Sequence, residues 1–279
     1  LTLILLVMWA TCVGLVLYGP QMQITYIVSA IICAGMWHQA SFFAHDAAHS
    51  EVTGDAKTDM IVSIFVANLL GGLSVGWWKN NHNVHHIITN DPERDPDIQH
   101  IPFFAISVKF TNNLYSKFYK RILSFDRFSQ FFISVQHIWF YTILAFGRFN
   151  LYFLSWSYCL RKERTLHRKQ EIICMVLFWC WFIPFLSCLP DTSTRILYVF
   201  ISHTATLILH LQITLSHFAM STEVPLDASF AERNIRTSMD VECEPWMDWF
   251  HGGLQFQVEH HLFPRLPRRN LRKSRPYVV

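Results

Sequence analysis

Three short histidine-rich clusters, separated by long apolar runs, constrain how this chain can fold. They occupy residues 45–49, 82–86 and 257–261 and hold seven of the chain's 15 histidines, which are His45, His49, His82, His85, His86, His260 and His261. Spacings of three and four within the clusters place side chains on one face of a helix. Imidazole is the commonest protein ligand for transition metals. The clusters therefore predict a shared polyhistidine metal site.

The apolar runs predict a membrane protein. Hydrophobic residues make up 52% of the 279-residue chain and aromatic residues 15%. Several runs approach the roughly 20 apolar residues that a helix needs to cross a bilayer. They lie at 3–17, 24–43, 60–75, 131–146, 172–189 and 196–215. We expect one membrane domain over residues 1–279, truncated at its N-terminus because the chain opens inside an apolar run without an initiator Met.

A shared metal site restricts which of these runs can cross the membrane. Clusters that bind the same metals must lie on one side of the bilayer, so an even number of crossings separates any two of them. The run at 60–75 stands alone between the first two clusters and is therefore expected to re-enter or to lie at the interface. By the same argument the run at 131–146 is interfacial. The predicted fold class is an all-α membrane protein with four transmembrane helices in two hairpins, interfacial helices and a cap carrying the histidine clusters.

The distribution of charge orients this arrangement. A formal net charge of only +3 offers no general basic surface for nucleic acid. Basic residues gather at 161–169 and 265–275, on the same predicted side as the histidine clusters, whereas the tight turns carry no Lys or Arg. The positive-inside rule makes that side the cytosol. We expect the second basic stretch either to anchor to anionic headgroups or to dock an acidic partner.

The number of histidines points to more than one metal. Seven imidazoles exceed the about four ligands of a typical zinc site and suit two metals that share a site. Imidazole binds iron, zinc, copper and nickel alike, so residue type does not name the metal. A dinuclear iron centre that activates oxygen explains a site at a bilayer, because lipid C–H bonds are beyond the reach of ordinary acid–base residues. A dinuclear zinc hydrolase is also compatible with the ligand count.

Longer strings around the clusters carry a family resemblance. The clusters have the forms H-D-x-x-H, H-x-x-H-H and Q-x-x-H-H, and the strings at 78–86, 95–100 and 249–264 extend them. In these strings the chain resembles the membrane fatty-acyl and sphingolipid desaturases, and Gln257 resembles the front-end branch. In particular, the strings resemble those of the fungal-type Δ8 sphingolipid long-chain-base desaturases.

This resemblance implies a non-haem centre of two iron ions in the endoplasmic reticulum membrane, with O2 as the oxidant. It implies electrons delivered by an NADH-dependent reductase and the haem of cytochrome b5, a domain that front-end members usually carry upstream. The expected substrate is a ceramide or long-chain base desaturated at Δ8. A front-end desaturase of the Δ5/Δ6 type, acting on acyl-CoA or phospholipid chains, is the first alternative. A metal-binding membrane adaptor or receptor without redox activity is the second.

The family pattern also assigns residue roles. The seven cluster histidines match the family's iron ligands and are thereby the expected catalytic residues. His217 matches a further histidine in the family's Asn-His-Phe string, although Ser216 replaces the Asn, and we interpret it as a ligand. Gln257 matches a position where other desaturases place a ligand; it is expected to bind weakly, to bind through water, or to orient a neighbour. For His210, seven residues before His217, a helix-packing or hydrogen-bonding role is favoured over ligation.

Carboxylates near the clusters are candidates to orient a ligating imidazole. They are Asp46, Asp95, Asp97 and Glu259. The alternative for Asp46 is solvation on a helix surface, and for Asp95 and Asp97 it is a turn around neighbouring prolines. The remaining histidines are expected to pack or to lie at the interface, and they are His38, His100, His137, His167, His203 and His251.

Overall fold

The structure is a computed structural model that describes residues 2–161, 163 and 165–278. It divides into two compact units. The first comprises the residues up to Trp77 together with Ala145–His210, and the second comprises Trp78–Leu144 together with the residues from Leu211 onward. Lys162 and Arg164 of the first basic stretch lie outside the described residues.

Helices make up most of both units, which confirms the predicted helical class. Along the chain they are α1 (Thr2–Tyr18), α2 (Gln23–Ala48), α3 (Ala56–Ile64), α4 (Val75–Ile88), α5 (Arg127–Ser134), α6 (Gln136–Ala145), α7 (Gly147–Cys159), α8 (Arg168–Ser187), α9 (Thr192–Thr204), α10 (Leu207–Phe218), α11 (Phe230–Thr237), α12 (Asp248–His251), α13 (Gln257–Leu262) and α14 (Arg268–Ser274). A π-helical turn, Phe65–Leu70, follows α3, and short 3-10 turns lie at Pro96–Ile98, Val108–Thr111, Pro245–Met247 and Arg275–Tyr277.

Large apolar side chains form the core of the first unit. Helix α2 packs against both α1 and α9 there. The aromatic side chains of Trp37, Phe178 and Phe182 are almost fully buried and contact one another. Burying side chains of this size stabilises a fold by about 1.5–3 kcal/mol each. The adjacent pair α1 and α2 matches the first predicted hairpin.

Several helices suit a bilayer. Among the described residues, Gln23–Ala48, Arg168–Ser187 and Thr192–Phe218 are long and apolar enough to cross a membrane, and α1 is a shorter apolar helix of 17 residues. Many large apolar side chains on these helices are exposed, as expected of faces that lipid covers. They include Leu3, Ile4, Leu6, Ile173, Leu177, Ile183, Ile196 and Phe200.

The run at 60–75 is broken rather than straight. The segments Ala56–Leu70 and Val75–Ile88 are together long and apolar enough to cross a membrane, but they are bent by 119° at the break between them. Between them Gly72 has a φ of +70°, a left-handed conformation that glycine adopts without strain. This break agrees with the expectation that the run does not cross as one helix.

The second unit has a small core of its own and a short β-hairpin. Strands β1 (Leu114–Ser116) and β2 (Arg121–Leu123) are antiparallel, with Leu114 opposite Leu123. Leu123 packs with Ile98 and Phe110 in that core. The apolar run at 131–146 is divided between α5 and α6, each of which is far shorter than a membrane span. This division fits the predicted interfacial placement.

Candidate metal centre

Helix α4 presents the second histidine cluster. His82, His85 and His86 stand at helical spacings of three and four and are buried. The Nε2 atoms of His82 and His86 lie 3.0 Å apart. The helix therefore aims several imidazoles at one volume, as the spacing predicts.

Helix α13 presents the third cluster to the same unit. Gln257, His260 and His261 are all buried. The ring of His261 stacks on that of His86, with centroids 4.2 Å apart. The start of the helix is held because the backbone N–H of Val258 donates to Asp240 Oδ1 at 3.0 Å. The second and third clusters are therefore side by side in the fold.

His217 joins these clusters from the end of α10. The Nε2 atom of His217 lies 3.4 Å from His85 Nε2 and 3.0 Å from the amide nitrogen of Gln257. One nitrogen from each of His85, His217 and His261 lies within 4.8 Å of the others. The structure thus brings His217 and Gln257 together with His85 and His261.

Hydrogen bonds on the far side of these rings determine which nitrogen faces inward. His85 Nδ1 lies 2.8 Å from Asp95 Oδ2, and His217 Nδ1 lies 3.0 Å from the carbonyl oxygen of Thr237. Both partners are acceptors, so each Nδ1 carries the proton and each Nε2 presents a lone pair. In neutral rings of this tautomer two lone pairs face each other 3.4 Å apart, an arrangement that a proton or a metal ion between them stabilises.

His261 adds a third inward lone pair. Its Nδ1 lies 3.1 Å from Asn234 Oδ1, and the amide of Asn234 is oriented because its nitrogen donates to the carbonyl of Phe230 at 3.0 Å. The Nε2 atom of His261 is buried and has no hydrogen-bond partner. A single proton can bridge two of the three nitrogens, whereas a metal ion binds all three lone pairs at once.

The electrostatics of the cluster match this arrangement. Burial, together with the neighbouring histidines, holds the pKa of His261 well below its ordinary value, so the ring is neutral and able to bind metal. Burial opposes ionisation of Asp95, but His85 and the backbone N–H groups of Asn90 and Asp97 outweigh it and lower the pKa of Asp95. A buried anion beside His85 makes that imidazole a stronger ligand.

The candidate carboxylates have different contacts. Asp95 has the orienting position, and Asp97 lies 3.4 Å from His82 Nδ1. Asp46 lies 3.6 Å from His45 Nδ1, which is longer than a good hydrogen bond. Asp95 also accepts from the backbone of Asn90 and Asp97, so it orders the turn as well as the ligand.

The first cluster belongs to the first unit. His45 lies in the last turn of α2 and His49 at its C-cap, with ring centroids 4.7 Å apart. A nitrogen of His45 and carboxylate oxygens of Asp46 and Glu51 lie within 4.8 Å of one another. The spacing of four thus places both imidazoles on one side of a helix end, as predicted.

Sequence reasoning missed two groups that act on the cluster. Asn234 and the carbonyl of Thr237 lie on α11, which contains no histidine. The one local signal was the string at 229–232, a Ser-x-x-Glu pattern typical of a helix start. Ser229 does cap α11, accepting from the N–H of Glu232 at 3.2 Å. That signal predicts a helix but not its neighbours.

Other histidines have packing roles. His210 lies against Gly147, where an added Cβ would approach its ring to 2.8 Å, which fits the favoured packing interpretation. His251 lies 3.1 Å from the amide nitrogen of Gln212. His203 is buried in the first unit with both ring nitrogens hydrogen-bonded.

The helices and the histidine cluster together define a class: a helical protein with apolar helices long enough to span a bilayer and a buried polyhistidine site. Residues 22–279 match the fatty acid desaturase family, and the chain belongs to that family. This confirms the resemblance seen in the three clusters. No solved structure matches the chain.

Individual members of this family show which desaturases the chain is similar to. The chain is 51% identical over 263 residues to a Delta 8-(E)-sphingolipid desaturase of Emericella nidulans, covering 91% of this chain and 48% of that protein. It is 50% identical over 261 residues to the Candida albicans protein of the same name, covering 90% and 45%. An acyl-lipid (9-3)-desaturase of Borago officinalis is 43% identical over 258 residues, covering 92% and 58%. The chain spans about half the length of the fungal relatives.

Proposed function

We propose that this chain is the membrane desaturase portion of an enzyme that introduces a Δ8 double bond into a sphingolipid long-chain base. The observation that carries the proposal is the convergence of His85, His217 and His261, whose Nε2 atoms lie close enough together to bind one metal ion. The fungal relatives, which are about 50% identical over some 90% of the chain, point to the substrate. The (E) geometry in the names of these relatives is the geometry we propose for the double bond of the product.

The donor set fits iron. Buried neutral imidazoles with protonated Nδ1 atoms are suitable ligands for iron, although not for iron alone. In this proposal two iron ions are held by His45, His49, His82, His85, His86, His217, His260 and His261. Gln257 Oε1 is buried without a hydrogen-bond partner, and it is the group through which this residue would contact a metal or its water.

Bound iron supplies the oxidising power to break unactivated C–H bonds with O2. The lipid chain loses two hydrogens, and with two electrons and two protons from the donor the O2 is reduced to two waters. The residues of this chain position and protect. Asp95, Asn234 and the carbonyl of Thr237 hold the imidazoles in the required tautomer, and burial of the cluster excludes water.

The membrane arrangement extends the proposal. Four spanning helices in two hairpins, including the shorter α1, would place all histidine clusters on one side of the endoplasmic reticulum membrane, facing the cytosol. Electrons would come from NADH through its reductase and cytochrome b5. The apolar helices with exposed apolar faces support the spanning helices, and the basic stretches support the orientation.

A front-end acyl desaturase is the second candidate. The Borago relative, named for acyl lipid, and an Arabidopsis thaliana protein named Delta(8)-fatty-acid desaturase 2, 40% identical over 277 residues, favour it. The two candidates share the metal site and differ in the lipid chain that receives the double bond.

Lipid mass spectrometry tests both candidates. The chain is expressed with cytochrome b5 and its reductase in a host whose sphingoid bases lack Δ8 unsaturation. We expect sphingoid bases two mass units lighter, with cleavage mapping the bond to C8. A double bond in acyl chains instead would favour the second candidate.

Two variants control this experiment. His260→Ala with His261→Ala removes proposed ligands and should abolish the product. His137→Ala removes an exposed histidine outside the clusters and should leave it unchanged. If neither lipid pool changes while the protein is folded, iron-loaded and supplied with electrons, the desaturase proposal is wrong. Iron binding with no reaction toward O2 would favour the adaptor or receptor.

A further inference from the structure

Two buried charged side chains, Arg148 and Glu171, lie at the break between α3 and α4 in the first unit. Arg148 is 3% exposed and Glu171 is fully buried. Among the described residues no ion pair joins either side chain to an opposite charge. Burying a charge in an apolar core is costly unless something offsets it, so each needs a physical explanation.

The carbonyl end of the break explains the arginine. Three consecutive carbonyls, those of residues 69–71, accept hydrogen bonds from side chains of three different helices. The donors are Trp181 Nε1 to Leu69 at 2.9 Å, Trp37 Nε1 to Leu70 at 2.9 Å and Arg148 Nη2 to Gly71 at 2.6 Å. The guanidinium also lies 3.8 Å from the centroid of the Trp37 ring. Arg148 therefore meets the negative end of a helix and an aromatic face.

The N–H end of the break explains the glutamate. Glu171 Oε2 accepts from the backbone N–H of Gly76 at 3.0 Å, from Ser74 Oγ and from Asn68 Nδ2 at 3.2 Å. Gly76 lies in the first turn of α4, where unsatisfied N–H groups carry partial positive charge. The carboxylate thus offsets the positive end of the helix that follows the break.

The other amides of this turn are also satisfied. Ser74 N–H donates to Ser155 Oγ at 2.9 Å, Val75 N–H to Asn68 Oδ1 at 3.3 Å and Trp77 N–H to Ser74 Oγ at 2.9 Å. A helix break inside an apolar region is stable only when its backbone groups find partners in the protein. Here side chains from α2, α7 and α8, together with Asn68 and Ser74 of the break itself, supply them, so the direction in which α4 leaves the turn is held from several sides.

We propose that Glu171 is a positioning residue that holds α4 in the direction its histidines require, an inference that rests on the proposed function, while Arg148 holds the carbonyl end of the same break. Residues nine positions apart on a helix are about 13 Å apart, so tilting α4 by 10° at Gly76 would move His85 by about 2 Å. Metal–ligand distances tolerate deviations of only about 0.2 Å. A loosened cap at the start of α4 therefore costs metal affinity at the far end of the same helix.

A substitution at Gly76 is a second way to disturb the contact between Glu171 and the start of α4. A Cβ at this position would collide with the carboxylate of Glu171. Gly76→Ala should therefore displace Glu171 without removing its charge. Glu171→Gln keeps an acceptor oxygen for the Gly76 N–H, while Glu171→Leu removes it.

The test compares iron binding by these variants of the full chain in detergent or nanodiscs. After anaerobic Fe(II) loading, iron per folded protein is titrated, and cobalt(II) absorption reports the geometry of the ligands. Relative to the wild type, we expect Glu171→Leu and Gly76→Ala to lower metal affinity at least about tenfold and to alter the cobalt spectrum. Glu171→Gln should keep the metal affinity within about twofold of the wild type and should leave the cobalt spectrum unaltered.

Tyr198→Phe is the matched control. It removes buried contacts to Ser29 and Cys12 in the same unit without touching the break. It should lower the melting temperature yet leave iron per folded protein and the cobalt spectrum unchanged.

The proposal is overturned if Glu171→Leu and Gly76→Ala keep wild-type affinity, or if Tyr198→Phe loses iron to the same degree. If Glu171→Leu fails to fold, Gly76→Ala and Glu171→Gln decide the question. Wild-type protein that binds no iron contradicts the proposed function itself, a result distinct from wild-type and variant proteins that bind equally.

Discussion

His203 in the first unit and His261 in the second are both buried histidines on helices, but their ring nitrogens have different partners. His203 Nδ1 lies 2.9 Å from the carbonyl oxygen of Val199, and its Nε2 lies 3.3 Å from the hydroxyl of Tyr152. His261 has Asn234 on Nδ1 and no partner on its buried Nε2. Both ring nitrogens of His203 therefore have partners within the protein, whereas the Nε2 atom of His261 has none.

For these two residues, the difference supports a packing role for His203 and ligation by His261. Burial does not distinguish them, because His203 is 2% exposed and His261 is 0% exposed. What distinguishes them is the number of nitrogens that the protein itself satisfies. An unpartnered buried nitrogen is costly and indicates a ligand where other imidazoles converge on it, as at His261 but not at His251, whose Nε2 is also without a hydrogen-bond partner.

We expect the largest effect from substituting these two histidines themselves. His261→Ala should reduce bound iron and desaturation to background, because a converging ligand is lost. His203→Phe should leave iron per folded protein unchanged while costing about 1–3 kcal/mol of stability for its lost hydrogen bonds. Metal analysis of purified protein with a thermal unfolding curve measures both. Equal iron loss in the two variants would contradict the distinction.

A smaller effect is expected at the partner of His261. Asn234→Leu removes the acceptor for Nδ1 and should lower iron affinity about 10–100-fold, as is typical of residues that orient a ligand. Asn234→Asp retains an acceptor and should recover most of that loss. Asn150→Leu, at an exposed asparagine, is the control. Competition with a chelator measures the affinities, and unchanged affinity in Asn234→Leu would argue that His261 is held by packing alone.

A weaker effect is expected where Arg272 of α14 contacts Asp248 of α12. Arg272 donates two hydrogen bonds to Asp248 at 2.9 and 2.6 Å and one to the carbonyl of Cys243 at 3.0 Å. Both side chains are about one-third exposed, so the pair should contribute no more than about 1 kcal/mol. A double-mutant cycle with Arg272→Met and Asp248→Asn measures this coupling. A coupling well above that value would show that the pair organises the third cluster rather than only tethering α14.

The smallest effect is the pH dependence of that pair. The Arg272 guanidinium beside Asp248 lowers the pKa of this carboxyl. Its stabilisation is therefore present above the ordinary aspartate pKa and is lost as pH falls through the lowered folded-state value. Unfolding curves at successively lower pH should show a small loss in the wild type that Asp248→Asn lacks. Identical pH profiles for the two proteins would remove this pair from the stability of the unit.

The same Arg272 contact bears on the second basic stretch. Arg272 and Arg275 lie near carboxylates of Asp248 and Asp240 and are therefore partly committed within the protein. Arg265, Arg269 and Lys273 are exposed at intervals of four residues. These three are the residues through which headgroup anchoring or docking of an acidic partner, the two interpretations open from sequence, would act.

Much of the site was predictable because its signals are local. Helical spacing placed His82, His85 and His86 on one face, and the apolar runs predicted the helices around them. The parity of crossings also predicted that the run at 60–75 re-enters or lies at the interface, and a 119° bend within that region is compatible with this expectation. Arg148 and Glu171 were not recognised, because a charged residue at the end of an apolar run looks in sequence like a solvated flank.

The sequence by itself determined which residue types are available, their helical spacing and the apolar runs that carry them. Only the tertiary structure decided which nitrogen of each histidine remains open. The acceptors that make this choice come from far along the chain: the Thr237 carbonyl is 20 residues from His217, and Asn234 is 27 residues from His261. A backbone carbonyl is present at every residue, so no pattern of side chains can announce it; only folding brings it to the ring.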